Sequence, residues 1–147
     1  MVKMFKARLE RTSVPEIHHI TLGGYQSAAV CAPPNLANHP GTTTPHKLFL
    51  ASIGSCVNII FEIACGKGRI EVLDLTSDIT GTYETNGETQ LSYFTDIYIN
   101  TKVTVPKGVA DKKVQRLFEI AVNSCPIGQC LEGSCVKLIE NLEVIHR

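Results

Sequence analysis

A chain of 147 residues that is 44% apolar can bury one real core, so a single domain is expected rather than two. Its basic and acidic residues, 14 of each, cancel to zero formal charge, and with no Lys/Arg run there is no electrostatic footprint for nucleic acid or an anionic membrane. Six cysteines fall short of a secreted disulfide scaffold, and MVKMFKARLERT lacks the apolar centre of a signal peptide, so reduced thiols in a cytoplasmic protein are expected.

In chain order, Phe5, Ala7 and Leu9 alternate with Lys6, Arg8 and Glu10, predicting a first strand with one buried face. A second strand over about 17–22 turns through Gly23-Gly24 into a third over 25–31, since a Gly-Gly pair between such runs is a hairpin signal. His18 and His19 are adjacent strand positions on opposite faces and cannot form a ligand pair. Residues 32–42, APPNLANHPGT, read as a loop.

The longest apolar stretch follows, over 43–66. Thr44 is a good N-cap, Pro45 suits the first helical position, and Gly66 supplies a stop. About twenty residues at about 1.5 Å each make a rod of about 30 Å. At about 100° per residue, Phe49, Ser52, Ile59, Ile60 and Ile63 fall on the side of Cys56, opposite Lys47, Ala51, Asn58 and Glu62. Cys56 is therefore expected on the apolar side, with small Ser52, Gly54 and Ser55 letting another element come close. Leu48 to Cys65 could span a membrane by length, but it contains Asn58 and Glu62 and no second segment qualifies, which favours a core helix.

After Gly68 the period changes to two. Leu73, Leu75, Ile79 and Tyr83 alternate with polar residues, Asn86-Gly87 turns the chain, and Leu91, Tyr93, Ile97, Ile99, Val103 and Val105 share one face of a long second strand. This predicts an antiparallel hairpin over 70–105, one face wet and one dry. Pro106 and Gly108 end it, and a second amphipathic helix presents Val114, Leu117, Phe118, Ala121 and Val122. Val136, Leu138, Leu142 and Val144 suggest a last strand interrupted at Glu140 and Asn141.

Asn123-Ser124-Cys125-Pro126 should break the second helix near Ser124, because the residue before proline avoids helical geometry, and Pro126 can start a new turn of helix. Cys125 then sits at a helix N-terminus, where free amides and the dipole favour a thiolate. It also lies near the face of Phe118 and Ala121, and so looks toward the long helix that carries Cys56. Two cysteines on facing helices can do peroxide chemistry: a thiolate takes the peroxide oxygen as a sulfenic acid and a second thiol resolves it as a disulfide. Burial would raise the pKa of the attacking thiol, so a cation is required nearby, and Arg8, Arg11, Arg69 and Arg116 are the candidates.

Cys31 and Cys65 read as packing residues. Cys125, Cys130 and Cys135 recur every five residues, a step of about 140° on a helix that does not converge three thiols on one metal, and no CxxC or nearby His completes a zinc set. Cys130 is a candidate extra resolving thiol if the short turn brings it near Cys125.

The pattern TPHKLFLASIGSCV, followed by SCPI after an amphipathic helix, resembles the OsmC/Ohr family of osmotically inducible and organic hydroperoxide resistance proteins. The likeness extends through the element order. It implies an α+β fold of antiparallel sheets around long central helices, in an intertwined homodimer with sites at the subunit interface, and one domain over 1–147 divided as N-terminal strands (1–31), central helix (43–66), hairpin (70–105), and second helix, Cys-Pro turn and final strand (108–147). It further implies that Cys56 is the peroxidatic thiol, that Cys125 resolves it, and that Arg11, with Arg8 second, supplies the arginine. No bound cofactor or metal is implied, and the reductant is an external dithiol of lipoyl type. Where the family usually has a glutamate nine or ten residues before the first cysteine, this chain has Lys47 and His46. The expected function is a cytoplasmic thiol peroxidase acting on organic hydroperoxides; the alternatives are a ligand-binding protein of the same fold and a redox sensor that oxidises once.

Overall fold

The computed structural model describes residues 2–33 and 38–147; residues 34–37 of the expected 32–42 loop lie outside them. The chain divides into two compact units, Met1–Phe49 and Leu50–Arg147.

In the first unit β1 (Arg8–Arg11), β2 (His18–Gly23) and β3 (Gln26–Val30) form an antiparallel sheet in that order. The predicted buried face of the first strand is not formed: Phe5 lies outside β1, and Leu9, opposite the buried Ile20 but on the edge strand, is 60% exposed. The hairpin also turns one residue later than expected. Gly23 pairs with Gln26, leaving Gly24-Tyr25 as the loop, and Gly24 at φ 56 takes the left-handed position that glycine occupies without strain. Thr43 continues the pairing by exchanging backbone hydrogen bonds with Ala29 and Cys31.

This brings the chain to α1 (Pro45–Lys67), whose start is as expected: Thr44 is buried and its hydroxyl accepts the Lys47 amide at 3.3 Å. The helix end differs from the expected Gly66 stop. Ile70 N–H bonds Cys65 O and Arg69 N–H bonds Gly66 O, with Arg69 itself left-handed at φ 56, a Schellman termination in a non-glycine residue. Gly68 serves a different need, since a Cβ there would stand 2.9 Å from Leu117 Cδ1.

In the second unit β4 (Asp74–Thr85) pairs antiparallel with β5 (Ser92–Val105), and β6 (Lys137–His146) pairs parallel with β5. The α+β class holds, with the sheet mixed rather than wholly antiparallel because β6 is reached through a helical crossover. The expected interruption at Glu140 and Asn141 is absent: both pair with β5, Glu140 opposite Ile99 and Asn141 opposite Asn100. The turn between β4 and β5 is not the two-residue Asn86-Gly87 hairpin. It spans residues 86–91, held by the Asn86 side chain accepting the Glu88 and Thr89 amides, each at 2.9 Å. The single face predicted for β5 breaks as well. Thr82 pairs with Asp96 but Tyr83 with Phe94, so Thr95 is an extra, bulged residue, and beyond it Phe94 takes the place beside Tyr83 while Leu91 and Tyr93 are exposed.

The inner sheet face carries Ile79, Ile97, Ile99 and Val103 and receives α1. Gly54 permits the approach, for a Cβ there would meet Ile79 Cγ1 at 2.5 Å. Deeper in the contact, Ser77 donates to Asn58 Oδ1 at 2.7 Å and shares a 2.8 Å hydrogen bond with Thr101, so these three polar side chains are paired. Although α1 is long and apolar enough to cross a membrane, this packing is that of a core helix. Asn58 was expected on the stripe facing away from the apolar side; it points at the sheet, and the buried residues of α1 are Ile53, Gly54, Val57, Phe61 and Cys65.

Candidate functional site

Helix α2 (Asp111–Ser124) lies antiparallel to α1. Near its start Lys113 Nζ donates to Gly68 O at 2.7 Å, beyond the last turn of α1, and Leu117 sits against Gly68. Phe118 then meets Phe61 edge to face, with centroids 5.2 Å apart at 80°. From that contact α1 runs back toward Cys56 and α2 runs on toward Cys125. The two thiol side chains come within hydrogen-bonding reach of each other, the juxtaposition expected from the sequence.

Cys125 occupies the break between two helices, as the C-cap of α2 and the N-cap of α3 (Pro126–Leu131), in extended geometry at φ −69 and ψ 111. Pro126 opens α3, and the Gly128 N–H donates to Cys125 Sγ at 3.3 Å. A Cβ at Gly128 would stand 3.6 Å from both Cys125 Sγ and Leu138 Cδ1. The thiol is completely buried, whereas Cys56 is half-buried.

The expectation that Cys125 is easily ionised is overturned. Burial pushes its pKa up, as does the hydrogen bond with the Cys56 side chain, against smaller downward effects of the Gly128 and Ile127 amides. The helix terminus acts as foreseen but in an interior that disfavours charge more strongly. Cys125 therefore keeps its proton while it faces Cys56.

Around Cys56 the sequence projection is partly corrected. Its stripe of α1 is not the one turned to the sheet; Ile59 and Ile63 on that stripe are 58% and 53% exposed. The projection treated all apolar residues as core, while the sheet selects the neighbouring stripe centred on Gly54, Val57 and Phe61, the one whose glycine allows contact.

Arg11 ends β1 opposite His18 and is exposed. It precedes a turn in which Thr12 N–H bonds Ile17 O at 3.1 Å and the Thr12 hydroxyl donates to Ile17 O at 2.9 Å. Arg8 forms a 2.6 Å ion pair with Glu10. Lys47 is exposed and His46 half-buried at the start of α1. Cys31, 2% exposed, contacts the Thr42 hydroxyl, and Cys65 is fully buried with its pKa pushed up to about 11 by burial and by Glu62. Cys130 and Cys135 are exposed while Cys125 is buried.

The free amides expected at the start of α3 are represented by the Gly128 N–H, which donates to Cys125 Sγ; what sequence reasoning missed is that burial outweighs them.

The family described as OsmC-like protein matches over residues 38–140. No curated protein sequence gives a significant match. Among solved structures, an OsmC like protein from Mycoplasma pneumoniae superposes with a TM-score of 0.85 at 16% identity, covering 99% of this chain and 100% of that one. The organic hydroperoxide resistance protein OhrB of Bacillus subtilis gives 0.69 at 21% identity, covering 96% and 98%. An organic hydroperoxide resistance protein from Elizabethkingia anophelis gives 0.73 at 17%, covering 100% and 99%. At these identities the likeness is one of fold.

Proposed function

This chain belongs to the OsmC-like protein family, and on that premise we propose that it is a thiol-dependent peroxidase that reduces organic hydroperoxides in oxidative-stress defence. The observation that carries this reading is the contact between the Cys56 and Cys125 side chains, one half-buried and the other held protonated. The hydroperoxide resistance proteins among its structural neighbours support the same reading.

In the proposed reaction the Cys56 thiolate attacks the outer peroxide oxygen, the O–O bond breaks, and the alcohol leaves with a proton. Cys125 Sγ then attacks the Cys56 sulfenic acid, and water leaves as the disulfide forms. An external dithiol, of lipoyl or similar type, returns both thiols. Arg11, with Arg8 as the second candidate, stabilises the thiolate and the developing oxygen charge. The apolar residues beside Cys56 suit an organic tail better than hydrogen peroxide. We assign the working form as a cytoplasmic homodimer, in which a second copy covers the exposed stripe of Ile59 and Ile63.

The test is steady-state consumption of cumene hydroperoxide with dihydrolipoamide. Many turnovers per chain are expected, abolished by Cys56→Ser and reduced to a single oxidation by Cys125→Ser. No turnover by the native protein with any dithiol would overturn the reading. His46 and Lys47 in place of the usual glutamate favour both alternatives, a ligand-binding protein of the same fold, for which the same assay would show no consumption, and a sensor that oxidises once, for which it would show stoichiometric consumption.

A further inference from the structure

Between α3 and β6 the chain reverses, with an exposed cysteine on each side of the reversal. We propose that Cys130 and Cys135 form a second thiol–disulfide pair, on the surface and independent of Cys56 and Cys125, that exchanges with small-molecule disulfides of the glutathione class.

A five-residue step separates two thiols on a helix, but only Cys130 is helical; Cys135 lies beyond the end of α3. Between them Glu132 at φ −60 and ψ 129 is followed by Gly133 at φ 74, and the Ser134 N–H bonds Leu131 O at 3.0 Å. These are the angles and the closing bond of a type II turn, which holds its first and fourth Cα atoms within about 7 Å. Cys130 and Cys135 are the residues immediately outside that closure. Both arms of the turn are tethered. The Val136 N–H donates to Ser134 Oγ at 3.1 Å, and Leu131 and Val136, the residue after each cysteine, are half-buried and line one cavity with Gly128 and Leu138. On so short a turn each thiol faces the other at an effective concentration that a dissolved thiol does not match. Cys125 is an unfavourable partner for either, because its sulfur is fully buried and faces Cys56. Two thiols alone fall short of the four ligands of a structural zinc site; a disulfide needs no further group. In the exchange one thiolate of the pair attacks a sulfur of the small disulfide, bonding to it and expelling the other half as a thiolate. The second thiolate of the pair then attacks the first cysteine's sulfur and expels the remaining half. Cys130 and Cys135 lose two electrons between them, the small disulfide becomes two thiols, and the two cysteine protons end on these.

The experiment equilibrates the native protein, without any hydroperoxide, with mixtures of reduced and oxidised glutathione of increasing oxidised share. Each sample is quenched with acid, alkylated with N-ethylmaleimide in urea and cut with a glutamate-specific protease. Because Glu132 lies between the two cysteines, the fragment over 133–140 stays joined to that over 120–132 only through a disulfide of Cys135, and tandem mass spectrometry shows whether Cys130 or Cys125 is its partner. The Cys130–Cys135 bond is expected in at least tenfold excess over glutathione held on either residue, and equally in Cys125→Ser. Glutathione adducts without the bond, Cys135 joined to Cys125, or a bond found only between two copies of the chain on a non-reducing gel would overturn the proposal. A failed hydroperoxide assay alongside the expected bond would sink only the peroxidase reading.

Discussion

The two ends of the α1–α2 contact hold cysteines of equal burial and unequal surroundings. Cys65 and Cys125 are both 0% exposed. Cys65 lies in the last turn of α1, near the close approach of Gly68 to Leu117, with Glu62 as the charge acting on it. Cys125 lies where α2 breaks, with two amides and a second thiol in reach. Burial alone therefore does not mark a thiol as inert or functional. The difference is made by polar groups that can receive charge and by a partner sulfur, both of which a chain break supplies and a regular helix interior does not.

The largest effect expected from this contrast is on turnover. Cys56→Ser should lower hydroperoxide consumption by about a thousandfold or more, to background, because the nucleophile itself is lost, whereas Cys65→Ala should leave turnover within about twofold. Equal losses in the two variants would erase the distinction between the ends. The packing that aligns them comes next: Phe61→Ala removes a fully buried ring and its partner's edge contact, and urea unfolding should show a loss of about 3–5 kcal/mol. Gly54→Ala forces a Cβ to 2.5 Å from Ile79 Cγ1, and the same measurement should show about 1–3 kcal/mol.

A pH effect separates the two buried thiols further. Cys65 titrates near 9.0 when unfolded and near about 11 when folded, so the folded state holds its proton more tightly. The resulting stability is fully present below pH 9 and is lost as pH rises toward 11. Cys65→Ala should accordingly flatten the decline in unfolding free energy across that window, and parallel curves for the two proteins would refute the assignment. The smallest effect should come from Lys113→Ala, which removes one exposed hydrogen bond to Gly68 O and should cost about 1 kcal/mol or less.

Local chemistry made much of this legible in advance. Thr44-Pro45 marked the start of α1 and Ser124-Cys125-Pro126 marked the break in α2, whereas the apolar face projected for α1 was not the one that packs. The misreadings have particular causes. Arg69 rather than a glycine takes the left-handed position, since the Schellman bonds and the burial of Ile70 outweigh the strain of a non-glycine residue there. Thr95 bulges out of β5 with nothing in its own alternation to announce it, and every inward residue before it changes face as a result. Glu140 and Asn141 read as breakers of a strand, yet backbone pairing with β5 carries them.

Periodicity, caps and breakers are local properties, set by φ/ψ preferences and the next few residues, and the sequence alone therefore determined which elements form, the α+β class and the two candidate thiols. Choices among faces are not local. Only the tertiary structure decided that α1 turns its Gly54 stripe to the sheet and leaves Ile59 and Ile63 open, that β6 pairs parallel to β5, and that Cys125 stays protonated, because each depends on which surfaces meet and how much water they exclude.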